Sequence, residues 1–243
     1  MRASTDVPEH YGTKFVVSGQ HVEVYQYDKH RTRPTGRTTR FDPESTPKEV
    51  DEQKKKLRLH DTTTRRRTKI RRILLANPDM CRFFVTITFK DNVKDIGHAY
   101  KDFNFFIKRL RYWAHKQGKN RDFKYLVVPE RQKRGAVHFH MVCNAPFYWN
   151  KGWNPHTNNR KISEILERVW GYGFADIRLI DDPMKVAGYI SKYLTKQDEW
   201  PPYTRRYKVS RNVLHPISYY AEPVVEKSDF SPHTGKFDAK AIL

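Results

Sequence analysis

His138-Phe139-His140 places two imidazoles two residues apart in the run AVHFHMVC (136–143). Side chains alternate along a strand, so both rings take one face and Phe139 takes the other. Such a pair also occurs as plain packing without metal. Glu130 changes the reading. It ends the run KYLVVPE (124–130), which RQKRG joins to the histidine run as a hairpin. If Glu130 pairs with His138 across a turn centred on Arg134, their Cβ atoms lie about 5 Å apart and His140 is the diagonal neighbour. Any even shift of register keeps all three on one face. Two imidazoles and a carboxylate leave coordination positions open to water or a phosphate oxygen, and the donor set suits Mn²⁺ or Mg²⁺ while also accepting Zn²⁺. Cys143, an odd number of residues from His140, faces away. The competing reading pairs Glu130 with Arg131 or Arg134.

A second constellation lies in GYISKYLTK (188–196), where Tyr189 and Tyr193 are four apart, as are Lys192 and Lys196. On a helix each pair stacks along one face, with Cβ atoms about 5–6 Å apart. Val186, Ile190 and Leu194 form the core stripe. Tyr193 lies nearer its centre than Tyr189, so packing weighs more for Tyr193 and nucleophilic chemistry for Tyr189. A free phenol has a pKa of about 10 and is rarely ionised at neutral pH. Attack on a phosphodiester therefore needs a metal on a non-bridging oxygen and a cation, here Lys192, against the developing charge. Tyrosine attack exchanges one phosphodiester for another, so resealing requires no ATP. In keeping with this, the sequence has no GxxxxGK[ST] loop.

The elements that must position these groups are legible as patterns. RFFVTITFK (82–90) reads as a strand with Thr86 and Thr88 opposed to Val85, Ile87 and Phe89. Residues 95–117 read as a helix with Ile96, Tyr100, Phe103, Ile107, Leu110 and Ala114 at three- and four-residue steps. Strands at 124–130 and 136–143, a helix at 160–170 capped by Gly171, a strand at 173–180 and a helix from Asp182-Pro183 to about Lys196 complete the series. The order implies an α+β fold, a central antiparallel sheet of about five strands with helices packed on it. Upstream, 14–27 reads as a hairpin around Ser18-Gly19, 29–46 as a linker, and Ser45 to Asn77 as a helix. No pattern emerges over the last 47 residues. The expected organisation is thus a hairpin and linker over 1–45, a basic helical segment over 46–80, the main domain over 81–198 and an extension over 199–243.

The formal charge of the 243 residues is +20, more than solubility needs, and points to a partner rich in phosphates. Between Lys54 and Arg72 ten Lys or Arg stand against one Asp. Arg65, Arg66, Arg67, Lys69, Arg71 and Arg72 are the expected DNA contacts there, a solvated helix face being the alternative. Lys196 is a further expected contact. Trp149 and Trp153, in PFYWNKGWNP (146–155), are candidates for base stacking or for a hydrophobic lid. The two cysteines, Cys81 and Cys143, exclude a disulfide framework or four-Cys zinc site and fit a reducing cytoplasm. No apolar run is long enough to span a bilayer, and the first residues lack the apolar core of a signal peptide.

Taken together, FVTITF (84–89), PERQKRGAVHFHMV (129–142), Trp170-Gly171 through Phe174 and AGYISKYLTK (187–196) resemble the motifs of rolling-circle replication initiators of the HUH endonuclease superfamily, most closely the phage- and plasmid-type replication-associated proteins. The resemblance covers about residues 65–196 and implies an RNA-recognition-motif-like, ferredoxin-like sheet. It implies His138, His140 and Glu130 as metal ligands. It further implies Tyr189 as the nicking tyrosine, leaving a 5′-phosphotyrosine and a free 3′-hydroxyl, with Lys192 assisting and Tyr193 either a second nucleophile or not. The implied partners are single-stranded origin DNA and a host helicase and polymerase in a bacterial cytoplasm. A transposase or relaxase of the same chemistry, and a non-enzymatic nucleic-acid-binding protein, are the alternatives.

Overall fold

The computed structural model describes residues 10–32, 52–116, 122–145, 159–195, 200 and 204–221. The chain divides into two compact units, Thr63–Leu214 and a unit drawn from Met1–Thr62 and His215–Leu243. In the latter, β1 (His10–Ser18) and β2 (His21–Thr32) form the expected hairpin, with Gly19 in the left-handed region at φ +64°. The strand β2 runs on to Thr32, so residues 29–32, expected as linker, are strand: Tyr11 and His10 pair with Arg31 and Thr32 across a bulge. A late strand, β8 (Ile217–Ala221), joins β1 antiparallel and gives the order β2-β1-β8. The sequence shows no pattern for it because Ile217, Ser218 and Tyr219 are all exposed, which removes the alternation a half-buried strand displays.

The helix α1 (Glu52–Ala76) carries the basic run, and its residues from Thr63 on belong to the Thr63–Leu214 unit. The expected helix start at Ser45 lies outside the described residues. A 3-10 turn, Pro78–Met80, follows. Then come β3 (Phe83–Phe89), α2 (Ile96–Lys116), β4 (Tyr125–Arg131), β5 (Val137–Cys143), α3 (Asn159–Trp170), β6 (Gly173–Leu179), α4 (Pro183–Thr195) and β7 (Lys208–Val209). Five antiparallel strands form one sheet in the order β6-β3-β5-β4-β7, with helices on it, which is the expected α+β class. The short β7 was not legible either: it pairs only Val209 and Lys208 with Leu126 and Val127. Pro129 falls past that pairing, where β4 is an edge and a missing N–H is tolerated.

Strand parity sorts the residues of the sheet into two faces. Phe83, Val85, Ile87, Phe89, Val127, Phe139, Met141, Ala175 and Ile177 pack with Phe103, Phe106 and Leu110 of α2 and with Leu166 and Trp170 of α3. All six α2 residues of the expected apolar stripe are buried. Each large side chain so buried contributes about 1.5–3 kcal/mol. The opposite parity puts Phe84, Leu126, Val128 and Val142 against Ile70, Ile73 and Leu74 of α1 and Val186, Ala187 and Ile190 of α4. Gly171 ends α3 as expected, at φ +74° with its N–H donating to Glu167 O at 2.8 Å.

Candidate metal centre and tyrosine helix

The hairpin register brings the ligands together. Glu130 is the direct partner of His138, and β4 and β5 are joined by a turn in which Gln132 N–H donates to Ala136 O and Gly135 sits at φ +85°. The Arg134 guanidinium donates to Phe89 O, and that of Arg131 to Gly135 O and Lys94 O, which fastens the turn to its surroundings. These two arginines, the alternative partners of Glu130, are thus engaged with backbone carbonyls. Glu130 instead presents Oε2 to His138 Nε2 at 2.8 Å and to His140 Nε2 at 2.9 Å. Glu130 and His140 are buried, at 6% and 5% exposure, while His138 is half-buried. The ligand atoms of the three lie within 4.8 Å of one another, a compact group that could hold a metal ion.

Thr86 adds a residue the sequence reading missed. It is the cross-strand partner of His140, and its Oγ1 is 3.3 Å from His140 Nδ1. With Nε2 free to ligate, Nδ1 carries the proton and donates to Thr86, which fixes the ring as an outer partner of a ligating histidine does. Parity is the signal that could have found it: Phe84, Thr86 and Thr88 face the same way as His138 and His140.

The tyrosine helix lies on this same face. The Tyr193 ring stacks on His140 with centroids 3.6 Å apart and planes at 20°. Tyr189 stands edge-on to Phe84 at 5.0 Å and to Tyr193 at 5.5 Å, and is 44% exposed. Phe84, a second missed residue, is the floor under both phenols, 5.6 Å from His140 and 6.3 Å from Tyr193. Burial holds the Tyr193 phenol well above the usual tyrosine range, its hydrogen bond with Tyr189 and the charges of Tyr189 and Glu130 add to this, and Arg178 opposes. Arg178 is a third residue that sequence reasoning passed over. It is the partner of Phe84 on β6 and is ion-paired with Asp176 at 3.0 Å. On the same parity of β6, Phe174 is opposite Thr88, which is opposite His138, and its ring is 60% exposed.

The remaining expected site residues divide. On α1, Arg65, Lys69 and Arg71 are exposed, while Arg66, Arg67 and Arg72 are half-buried. The backbone of Lys192 is in α4, but its side chain lies outside the described residues, as do Lys196, Trp149 and Trp153 entirely. Cys143 faces the α2 side of the sheet, away from the triad, as its parity requires. No helix among the described residues is long and apolar enough to cross a membrane.

Residues 82–198, the segment that carries the sheet from β3 to β6, the triad and the tyrosine helix, match the family model of the replication-associated proteins of the ORF2 type. The match supports a replication-associated protein. No curated protein and no solved structure matches the chain.

Proposed function

We propose that this protein is an HUH-type initiator that nicks and rejoins single-stranded DNA at a replication origin, starting rolling-circle replication of a small phage or plasmid replicon. The observation that carries the reading is the stack of Tyr193 on His140 at 3.6 Å, which lays both phenols of α4 beside the ligand triad. The match to replication-associated proteins supports the same reading.

Glu130, His138 and His140 would hold Mn²⁺ or Mg²⁺. Their fit is seen in the two Nε2 atoms converging on one carboxylate oxygen, as donors around a small cation do. When bound, the ion makes the phosphorus of a captured phosphodiester more electrophilic and orients it. Tyr189, the more exposed phenol, is the nucleophile. Its oxygen bonds to phosphorus as the bond to the 3′ oxygen breaks; the phenol gives up its proton and the leaving oxygen gains one. The products are a 5′-phosphotyrosine and a 3′-hydroxyl for a polymerase, and attack by a 3′-hydroxyl reverses the step. Tyr193, held neutral by its burial, donates a hydrogen bond to the Tyr189 oxygen as charge develops there. Lys192 and Arg178 supply positive charge, and the exposed Phe174 ring offers a surface on which an unpaired base stacks. Host helicase and polymerase complete the cycle in the cytoplasm of a bacterial cell.

A second reading makes Tyr193 the nucleophile, favoured by its contact with His140. Incubation with labelled single-stranded origin DNA and Mn²⁺, followed by denaturing electrophoresis, separates the two. A covalent adduct is expected with the unaltered chain and with Tyr193→Phe but not with Tyr189→Phe. The opposite pattern makes Tyr193 the nucleophile, and no adduct with any variant or metal would leave a non-enzymatic DNA-binding protein.

A further inference from the structure

At the β7 edge of the sheet, α2 and residues 204–212 enclose a groove of about 1270 Å³. Lys108 and Arg111 of α2 line one wall, Arg205, Lys208 and Arg211 line the other, and Arg66 of α1 also reaches it. Among the described residues, seven Lys or Arg side chains and no Asp or Glu line this groove. A concave surface of one sign between low-dielectric walls concentrates its field on whatever enters.

Lys208 shows how strongly the groove is biased. Its ammonium lies 3.9 Å from the centroid of the Tyr100 ring and 3.4 Å from Asn104 Oδ1. Among the described residues no carboxylate pairs with it. Burial first, and the charge of Arg205 second, depress its pKa. An anion placed there offsets both effects.

We propose that this groove binds the phosphodiester backbone of a single DNA strand without reading its bases, as a site separate from the Glu130–His138–His140 centre. Phe123 and Tyr125, the rings along its floor, are 3% and 8% exposed and offer no free face to a base. The cations are spread along two facing walls, which suits a chain of repeating charges. A duplex would meet only the rims, and a flat lipid surface could not enter. The volume also exceeds the roughly 300–1,000 Å³ of small-molecule pockets. Tyr125 and Glu130 are five residues apart on β4, about 17 Å along the strand, and their odd separation puts them on opposite faces of the sheet. The groove therefore holds a strand whether or not the other face cuts it.

The test uses the full chain in EDTA, so that no cleavage chemistry contributes. Fluorescence anisotropy with a labelled single-stranded oligonucleotide of random sequence is followed against salt. The triple variant Arg111→Ala, Arg205→Ala, Arg211→Ala, all exposed positions, should bind about tenfold or more weakly at low salt, with a log–log salt slope shallower by about 2, from three phosphate contacts at about 0.7 each. The control triple Arg160→Ala, Lys161→Ala, Arg168→Ala on α3 removes the same formal charge and should leave both nearly unchanged. Equal losses in the two triples would reduce the effect to net charge and overturn the proposal, as would no loss in the first. A larger loss for duplex than for single strand overturns it too, and so does a loss confined to anionic-lipid vesicles. An unaltered chain that forms no covalent adduct yet passes this test would sink the nicking reading alone.

Discussion

Replacing Glu130 by Gln keeps the shape of the central ligand and deletes its charge. The carboxylate oxygen that meets both His138 and His140 at 2.8 and 2.9 Å becomes an amide, which can still donate to one imidazole nitrogen and accept from the other. Without metal the loss is therefore that of charge-assisted hydrogen bonding, about 1.5–3 kcal/mol at most. With metal the difference is larger. At free Mn²⁺ about 100-fold above its dissociation constant, binding stabilises the native state by about 2.7 kcal/mol. For a unit the size of Thr63–Leu214 this raises the melting temperature by about 5–11 °C. Differential scanning fluorimetry with and without Mn²⁺ should show that rise for the unaltered chain and close to none for Glu130→Gln or for His138→Ala with His140→Ala. A full Mn²⁺ response in Glu130→Gln, or none in the unaltered chain, would refute the assignment of these three residues as one ligand set.

Thr86→Val keeps the strand and removes the oxygen beside His140 Nδ1; calorimetric titration should show Mn²⁺ affinity lowered about tenfold or more, the usual effect of losing an outer partner. Gly173→Ala should destabilise the domain by about 2–3 kcal/mol or more in urea unfolding, because φ is +152° and a Cβ would fall 2.4 Å from Thr88 O and Lys90 N. Burial pushes the Cys81 and Cys143 thiols up to about 12 from an ordinary 9.0, so the native protein should react with an aromatic disulfide at pH 8 far more slowly than the urea-unfolded chain. The same shift makes stability fall as pH rises from 9 toward 12, since only the unfolded thiols ionise there.

The site was legible in the sequence because strand parity and helical spacing are enforced by geometry. His138, His140 and Glu130 share a face once the hairpin register is set, and the turn RQKRG is too short to permit many registers. The Tyr189–Tyr193 spacing needs only a helix. What the pattern could not supply was the traffic between non-adjacent strands. Thr86 and Phe84 meet the site from β3, and Arg178 from β6, through pairings that join segments more than 30 residues apart. The groove draws on 204–212, a stretch whose two-residue strand is too short to carry a period.

The pairing of β1 with β8 has a kinetic side. Thr13 to Val17 wait for Ala221 to Ile217 to complete their sheet, a closure over about 200 residues of chain. By then every strand of the unit ending at Leu214 has already been synthesised. That unit can begin to fold during synthesis, whereas the sheet of the other must close last and at a steep cost in chain entropy. Until then the β1–β2 ribbon has a bare edge, and a chain truncated at 214 would keep it permanently, ready to pair with the same edge of a second molecule.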